Sequence, residues 1–189
     1  MLLTLARDRS GQCVGLRLPA TPADADATFA KLNAISAEAD RTFILRADTG
    51  IGFLDRYLRD RGVGQRDMLP ALNELAAKID GMSDVERKTF DGALTGAALD
   101  DIHDVNRIAD SLPDYIFISG VTTEKELGRF LVDTGYKDFP EDVKPYLDYA
   151  AIGIEYHAEH DGAFTGEGYT MHRSAPEQTE SIQMQSPFL

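Results

Sequence analysis

The chain has a single cysteine, Cys13, among 189 residues. One thiol closes no intrachain disulfide and builds no cysteine-based zinc site, which needs several thiolates around one ion. Long apolar runs are also missing. The opening stretch MLLTLARDRSGQC is too short in apolar residues for a signal peptide, and nothing approaches the roughly 18 apolar residues of a membrane span. Both gaps point to a soluble, cytoplasmic protein with no membrane partner.

Positive charge is the third shortage. Lys and Arg number 19 against 32 Asp and Glu, a formal net charge of -13 with a pI near 4.6. Such an excess disfavours direct nucleic-acid or anionic-membrane binding, because like charges would meet. A basic partner would be attracted. Nucleophile and phosphate motifs are missing as well: there is no GxSxG, no GxxxxGK[ST] and no GxGxxG after a strand. Gly62-Val63-Gly64 reads as a plain loop, and Cys13 falls in an expected hairpin with Arg9 and Arg17 close in sequence. The residues support neither an enzyme nor a cofactor.

What the chain does have is 43% apolar residues, enough for a buried core. Segments 2–6 and 14–18 read as strands joined by a turn at Ser10-Gly11. Pro19 and Pro22 introduce a helix with Phe29, Leu32 and Ile35 on one face. Residues 42–47 make a third strand, and 53–60 a short helix whose face holds Phe53, Leu54, Tyr57 and Leu58. An α+β unit over 1–65 follows from these elements.

A helical unit over 66–112 comes next. Its first helix runs from an Asp67 cap to Lys78 with Leu69, Leu72, Leu75, Ala76 and Ile79 as its stripe. Ser83 and Glu86 have the spacing of a capping box for a second helix reaching about Leu94. A third is expected over 99–109, burying Ile102, Val105 and Ile108. A second α+β unit occupies 113–173. Tyr115-Ile116-Phe117-Ile118 is its strand, and Thr123 with Glu126 boxes a helix through Val132 with Leu127, Phe130 and Leu131 inward. Pro140 and Pro145 bracket the entry to a helical stretch over roughly 141–160, and a closing hairpin follows around Thr165-Gly166. Residues 174–189 read as a disordered tail.

Charge is divided unevenly among these units. Residues 1–65 hold 8 acids and 9 bases, a net of +1; residues 66–189 hold 24 and 10, a net of -14. Within 91–161 there are 16 acids against Arg107, Lys125, Arg129, Lys137 and Lys144. An ordinary solvated face interleaves both signs, because an imbalance repels itself. Asp100, Asp101 and Asp104 share about one helical turn, where neighbours at three- and four-residue spacing lie ~5–6 Å apart. Asp110, Asp114, Glu124, Glu126, Asp133, Asp138, Glu141, Asp142, Asp148, Glu155, Glu159 and Asp161 continue the series. These acids are the candidate partner-binding residues. Two segments of this series also mix histidine with carboxylates as metal ligands would: His157-Ala158-Glu159-His160-Asp161, and Asp100-Asp101-Ile102-His103-Asp104. Neither has the HExxH or HxxEH order, and exposed helix surface is the simpler reading of both.

Five segments carry a family resemblance. Pro145-Tyr-Leu-Asp-Tyr-Ala-Ala-Ile-Gly153, then Asp161-Gly-Ala-Phe164 with Gly168-Tyr169, resembles the C-terminal signature of ArdA-type antirestriction proteins. Leu72-Asn-Glu-Leu-Ala76 is similar to that family's helix after the first domain, and Glu126-Leu-Gly-Arg-Phe-Leu131 to its ELGxxL segment. The resemblance spans about 15–172 in the family's order. One departure stands out: Ile152-Gly153-Ile154 replaces a usual Tyr-Gly-Arg, so any role of that Tyr or Arg is absent. The resemblance implies an elongated, three-part α+β protein that forms a homodimer. It implies a DNA mimic carried by conjugative plasmids and transposons, which occupies the DNA-binding groove of type I restriction–modification enzymes and protects incoming DNA. The residues alone leave two alternatives open: an acidic adaptor for another basic DNA-handling protein, and a metal site at His157 and His160.

Overall fold

The computed structural model describes residues 1–7, 12–35, 41–63 and 68–173. The Ser10-Gly11 turn, Arg9, Gly64, the Asp67 cap and the 174–189 tail lie outside them. The described chain is a mixed α/β protein with seven α-helices and two small antiparallel sheets.

The first sheet has the order β2-β1-β3, with β1 at Leu2–Ala6, β2 at Cys13–Arg17 and β3 at Phe43–Asp48. Leu3 pairs with Leu16 and Ala47, and the register against β3 shifts between Thr4 and Leu5. α1 (Pro22–Ile35) joins β2 to β3. Its start is fixed by Thr21 and Asp24, which accept each other's backbone N–H at 3.2 Å. α1 buries Ala25, Thr28 and Leu32 and packs Phe29 against the same core, so the expected face holds at Phe29 and Leu32, while Ile35 is exposed. Ile35 is the last residue of the helix.

α2 (Gly52–Leu58) buries Leu54 and Leu58, while Phe53 and Tyr57 stack at 6.1 Å on its flank. α3 (Met68–Gly81) buries Leu72, Leu75, Ala76 and Ile79 as its stripe requires. α4 (Asp84–Gly96) starts at the complete Ser83–Glu86 capping box. α5 (Ile102–Asp110) begins later than the sequence predicts, because Asp101 is its N-cap and Asp104 closes a second box. Ile102, Val105 and Ile108 face inward. One hydrophobic cluster takes in Leu3, Leu16 and Ile44 of the first sheet together with Leu72, Phe90 and Val105 of these helices. Each fully buried Leu there is worth about 2–5 kcal/mol against Ala.

The second sheet has the order β4-β6-β5, with β4 at Tyr115–Ser119, β5 at Ala163–Phe164 and β6 at Gly168–His172. β5 and β6 form the predicted closing hairpin, and β6 also pairs along β4, Ile118 opposite Tyr169. α6 (Glu124–Asp133) opens at the Thr123–Glu126 box. The helical stretch expected over roughly 141–160 consists of a turn, a 3-10 segment at Lys144–Tyr146 and then α7 (Tyr149–His160). Pro145 supplies no backbone N–H to extend a helix through it, and Asp148 caps a fresh start by accepting from the Ala150 and Ala151 N–H groups at 3.1 Å. A second cluster holds Ile118, Leu127, Leu131, Tyr156, Tyr169 and Met171. α4 links the two clusters. Its Gly92 lies so close to Thr170 of β6 that a Cβ there would overlap the threonine side chain.

Candidate functional site

The capping rules that start α5, α6 and α7 decide what the candidate acids can do. An exposed carboxylate at a helix start is held by backbone N–H donors that have no intrahelical acceptor. Asp101 accepts from the N–H of His103 at 2.7 Å and of Asp104 at 3.2 Å. Asp104 returns the contact, accepting from the N–H of Asp100 and Asp101 at 2.8 and 3.2 Å, and it pairs with the Arg107 guanidinium. Those backbone donors, Asp100 first, hold the Asp104 carboxyl below the usual carboxylate range. Glu126 accepts from the Thr122 and Thr123 N–H groups at 2.8 and 3.1 Å and is lowered in the same way, chiefly by Thr122. Asp148 is occupied by its cap.

Three more candidates face cations. Asp110 pairs with Lys78 at 2.7 Å, Glu141 with Lys144 at 2.6 Å and Glu155 with Lys137 at 3.1 Å. Exposed pairs of this kind contribute little to stability, with a median of about 0–1 kcal/mol. They do, however, blunt the negative field locally. Asp100, Asp114, Glu124, Asp133, Asp138, Asp142, Glu159 and Asp161 remain. All eight are exposed, and among the described residues none of their side chains makes a hydrogen bond or ion pair. Asp161 sits past the end of α7 in the left-handed region, at φ 45°. Of the whole candidate set only Asp104 is less than exposed.

The structure therefore brings the candidates together in part. Asp100, Asp101 and Asp104 gather at the start of α5. A second group surrounds Lys144: Glu141 by direct contact, then Asp133 and Asp138, which together push the Lys144 ammonium up from its usual range. Glu124 lies on the first turn of α6, and Glu159 and Asp161 at the far end of α7.

Histidine geometry is local. His157 Nδ1 lies 3.2 Å from the Tyr169 hydroxyl, and His160 Nδ1 lies 2.9 Å from the Tyr156 carbonyl with its ring stacked on Tyr156 at 3.8 Å. Among the described residues no three His, Cys, Asp or Glu side chains converge as a metal site would require. No described helix is long and apolar enough to cross a membrane.

The residues that carried the resemblance have a different place. Leu72, Leu75, Ala76, Leu127, Leu131 and Tyr169 are buried. Gly128 of α6 and Gly153 of α7 meet where the two helices cross, each so close that a Cβ would overlap a backbone carbonyl of the other helix. These motif positions build the fold, and the acids are displayed on it. Tyr146, quoted only as part of the Pro145–Gly153 segment, is the exception: it is 86% exposed, the highest among the large apolar residues described. Its signal was an aromatic residue directly after Pro145 in an acidic stretch.

The model of the family described as Antirestriction protein (ArdA) matches residues 4–171, and the chain belongs to that family. A search of curated proteins finds no match.

Proposed function

We propose that this member of the ArdA family acts as a mimic of duplex DNA, filling the DNA-binding groove of type I restriction–modification enzymes so that incoming mobile-element DNA escapes cleavage. Family membership supports an antirestriction role and type I enzymes as its target. The observation that carries the mimicry is the set of exposed carboxylates without internal partners, concentrated in the chain's acidic two-thirds. Carboxylates can meet the Lys and Arg that otherwise contact phosphate oxygens, contacts which position a ligand without reading sequence. Such a mimic inhibits enzymes with different recognition sequences, since it presents no base-pair code to fail.

The magnitude is adequate. Duplex DNA carries about one negative charge per 1.7 Å of axis. Two chains of -13 each carry -26, equivalent to roughly 44 Å of duplex at that density. The reading includes a homodimer and an elongated arrangement of units 1–65, 66–112 and 113–173 with an acidic surface. The exposed side of α7, where Ile154 is 56% exposed, is the surface offered to the second copy.

Binding of the full chain to a type I methyltransferase tests the proposal. Affinity should fall steeply between about 50 and 200 mM salt, and duplex carrying the recognition sequence should compete. A salt-independent affinity removes the mimic. Binding that duplex cannot displace favours instead an acidic adaptor seated outside the groove. Charge removal belongs at Asp133, Asp138 and Asp142, because reversing Asp101 or Asp104 also removes the caps of α5.

A further inference from the structure

We propose that Tyr146 is the apolar anchor of the partner-binding surface, a planar ring that enters a slot flanked by Lys and Arg on the partner. It stands where a nucleobase would stand beside the phosphates of bound nucleic acid. The inference rests on the DNA-mimic reading and adds to it a group that imitates a base rather than a phosphate.

The ring is 86% exposed, but the backbone that presents it is fixed. Pro145 restricts its own φ, the Tyr146 N–H donates to the Val143 carbonyl at 2.9 Å, and the Leu147 N–H donates to the Lys144 carbonyl at 3.3 Å. The Tyr149 hydroxyl donates to that same Lys144 carbonyl at 3.0 Å, tying the turn to α7. Tyr136, also exposed, differs in kind: its ring sits edge-on to Tyr156 of the second cluster at 6.4 Å. Tyr146 makes no ring contact among the described residues. A rigid turn presenting a bare aromatic costs little ordering on binding, and Tyr is among the residues that dominate interface energetics when ringed by polar groups.

Charge identifies the occupant. From 133 to 148 the chain has Asp133, Asp138, Glu141, Asp142 and Asp148 against Lys137 and Lys144, and both lysines are already in ion pairs. Asp133, Asp138 and Glu141 all act on the Lys144 ammonium, one residue from Pro145. The complement of a ring set among carboxylates is an apolar slot with a basic rim. A second copy of this chain would bring the same acids to the turn and be repelled. Proteins that handle unstacked bases combine the required features, holding the ring against apolar or aromatic side chains while cations track the backbone.

The test measures binding to a type I methyltransferase across 50–200 mM salt for Tyr146→Ala, Tyr146→Leu and Tyr146→Phe, beside the triple variant Asp133→Asn, Asp138→Asn and Asp142→Asn. Tyr146→Ala should bind about 10–50-fold more weakly at every salt concentration, with an unchanged salt slope because no charge is lost. Tyr146→Phe should bind as the parent does, and Tyr146→Leu should recover only part of the loss. The triple variant should instead flatten the slope. If it does so while Tyr146→Ala binds normally, the anchor fails and the mimic stands. If the parent shows no salt dependence, the mimic itself fails. Full affinity in Tyr146→Leu removes the planar slot. A shift from dimer to monomer in the sedimentation of Tyr146→Ala assigns the ring to a second copy and overturns the proposal.

Discussion

Gly128 and Gly153 are each other's reason for lacking a side chain. A Cβ on Gly128 would overlap the carbonyl oxygen of Tyr149, and one on Gly153 would overlap the carbonyl oxygen of Glu124. Residue 124 of α6 thus lies against 153 of α7, and 128 against 149, so the helices run antiparallel. Their backbones meet with nothing between them. The crossing carries α6 and α7 as a pair beneath the acids on their exposed sides.

Alanine at either glycine should therefore force the helices apart. We expect Gly128→Ala or Gly153→Ala to cost at least about 2–3 kcal/mol, read as a lowered urea midpoint. The obstacle is backbone on both sides, so no flexible side chain can swing aside to absorb it. Alanine at Gly166, which has open space around the position of a Cβ, should leave the midpoint nearly unchanged.

At the start of α5, one acid serves a structural end that Asn can also serve. Asp101→Asn should keep the cap and cost a few tenths of a kcal/mol, whereas Asp101→Ala or Asp101→Lys should cost about 1 kcal/mol. Urea denaturation of the three variants checks this. Equal losses in Asn and Ala would mean that charge, not the hydrogen bonds at 2.7 and 3.2 Å, holds the helix start.

Acid should weaken the fold through its capping boxes. Glu126 and Glu86 are lowered from 4.5, Glu126 mainly by the Thr122 backbone N–H and Glu86 mainly by the Ser83 hydroxyl. A carboxyl lowered in the folded state contributes stability that is present above its unfolded pKa and lost as pH falls through the folded one. Protonation also relieves repulsion from the net charge of -13, so the two effects oppose each other. Comparing the parent with Glu126→Gln between pH about 5 and 3 isolates the capping part. Gln keeps an acceptor but does not titrate, and its stability should fall less over that interval.

Alkali should act through Tyr169, whose hydroxyl is pushed up to about 12 by burial. The unfolded phenol ionises near 10, so stability should decline as pH rises from about 10 to 12. Absorbance at alkaline pH should show Tyr169 ionising late or only with unfolding. A Tyr169→Phe variant should lose the late component.

Much of the fold was legible because its signals are local. The Ser83–Glu86 and Thr123–Glu126 boxes, the α3 stripe and the apolar run at 115–118 each depend on residues a few positions apart. The signals that misled were local too. Prolines at 140 and 145 marked the entry to a helical stretch, whose α-helix starts only after the Asp148 cap. Asp101 and Asp104 looked like free charge and prove to be a cap, because nothing in the charge pattern says which backbone N–H groups lie within reach.

What the sequence determined by itself was a count and a set of periods: a charge of -13 placed almost wholly after residue 65, and helices and strands specified by spacing. Spacing is enough there because capping and amphipathic burial act over three or four residues. Only the tertiary structure decided which carboxylates are occupied and which face water, which glycines are crossings, and that Tyr146 stands bare on a fixed turn. The caps at Asp101, Glu126 and Asp148 and the turn under Tyr146 close within a few residues. The glycine crossing and the pairs of Asp110 with Lys78 and Glu155 with Lys137 depend on approaches between residues far apart in the chain. No local rule encodes them, since packing selects them only after every element is in place.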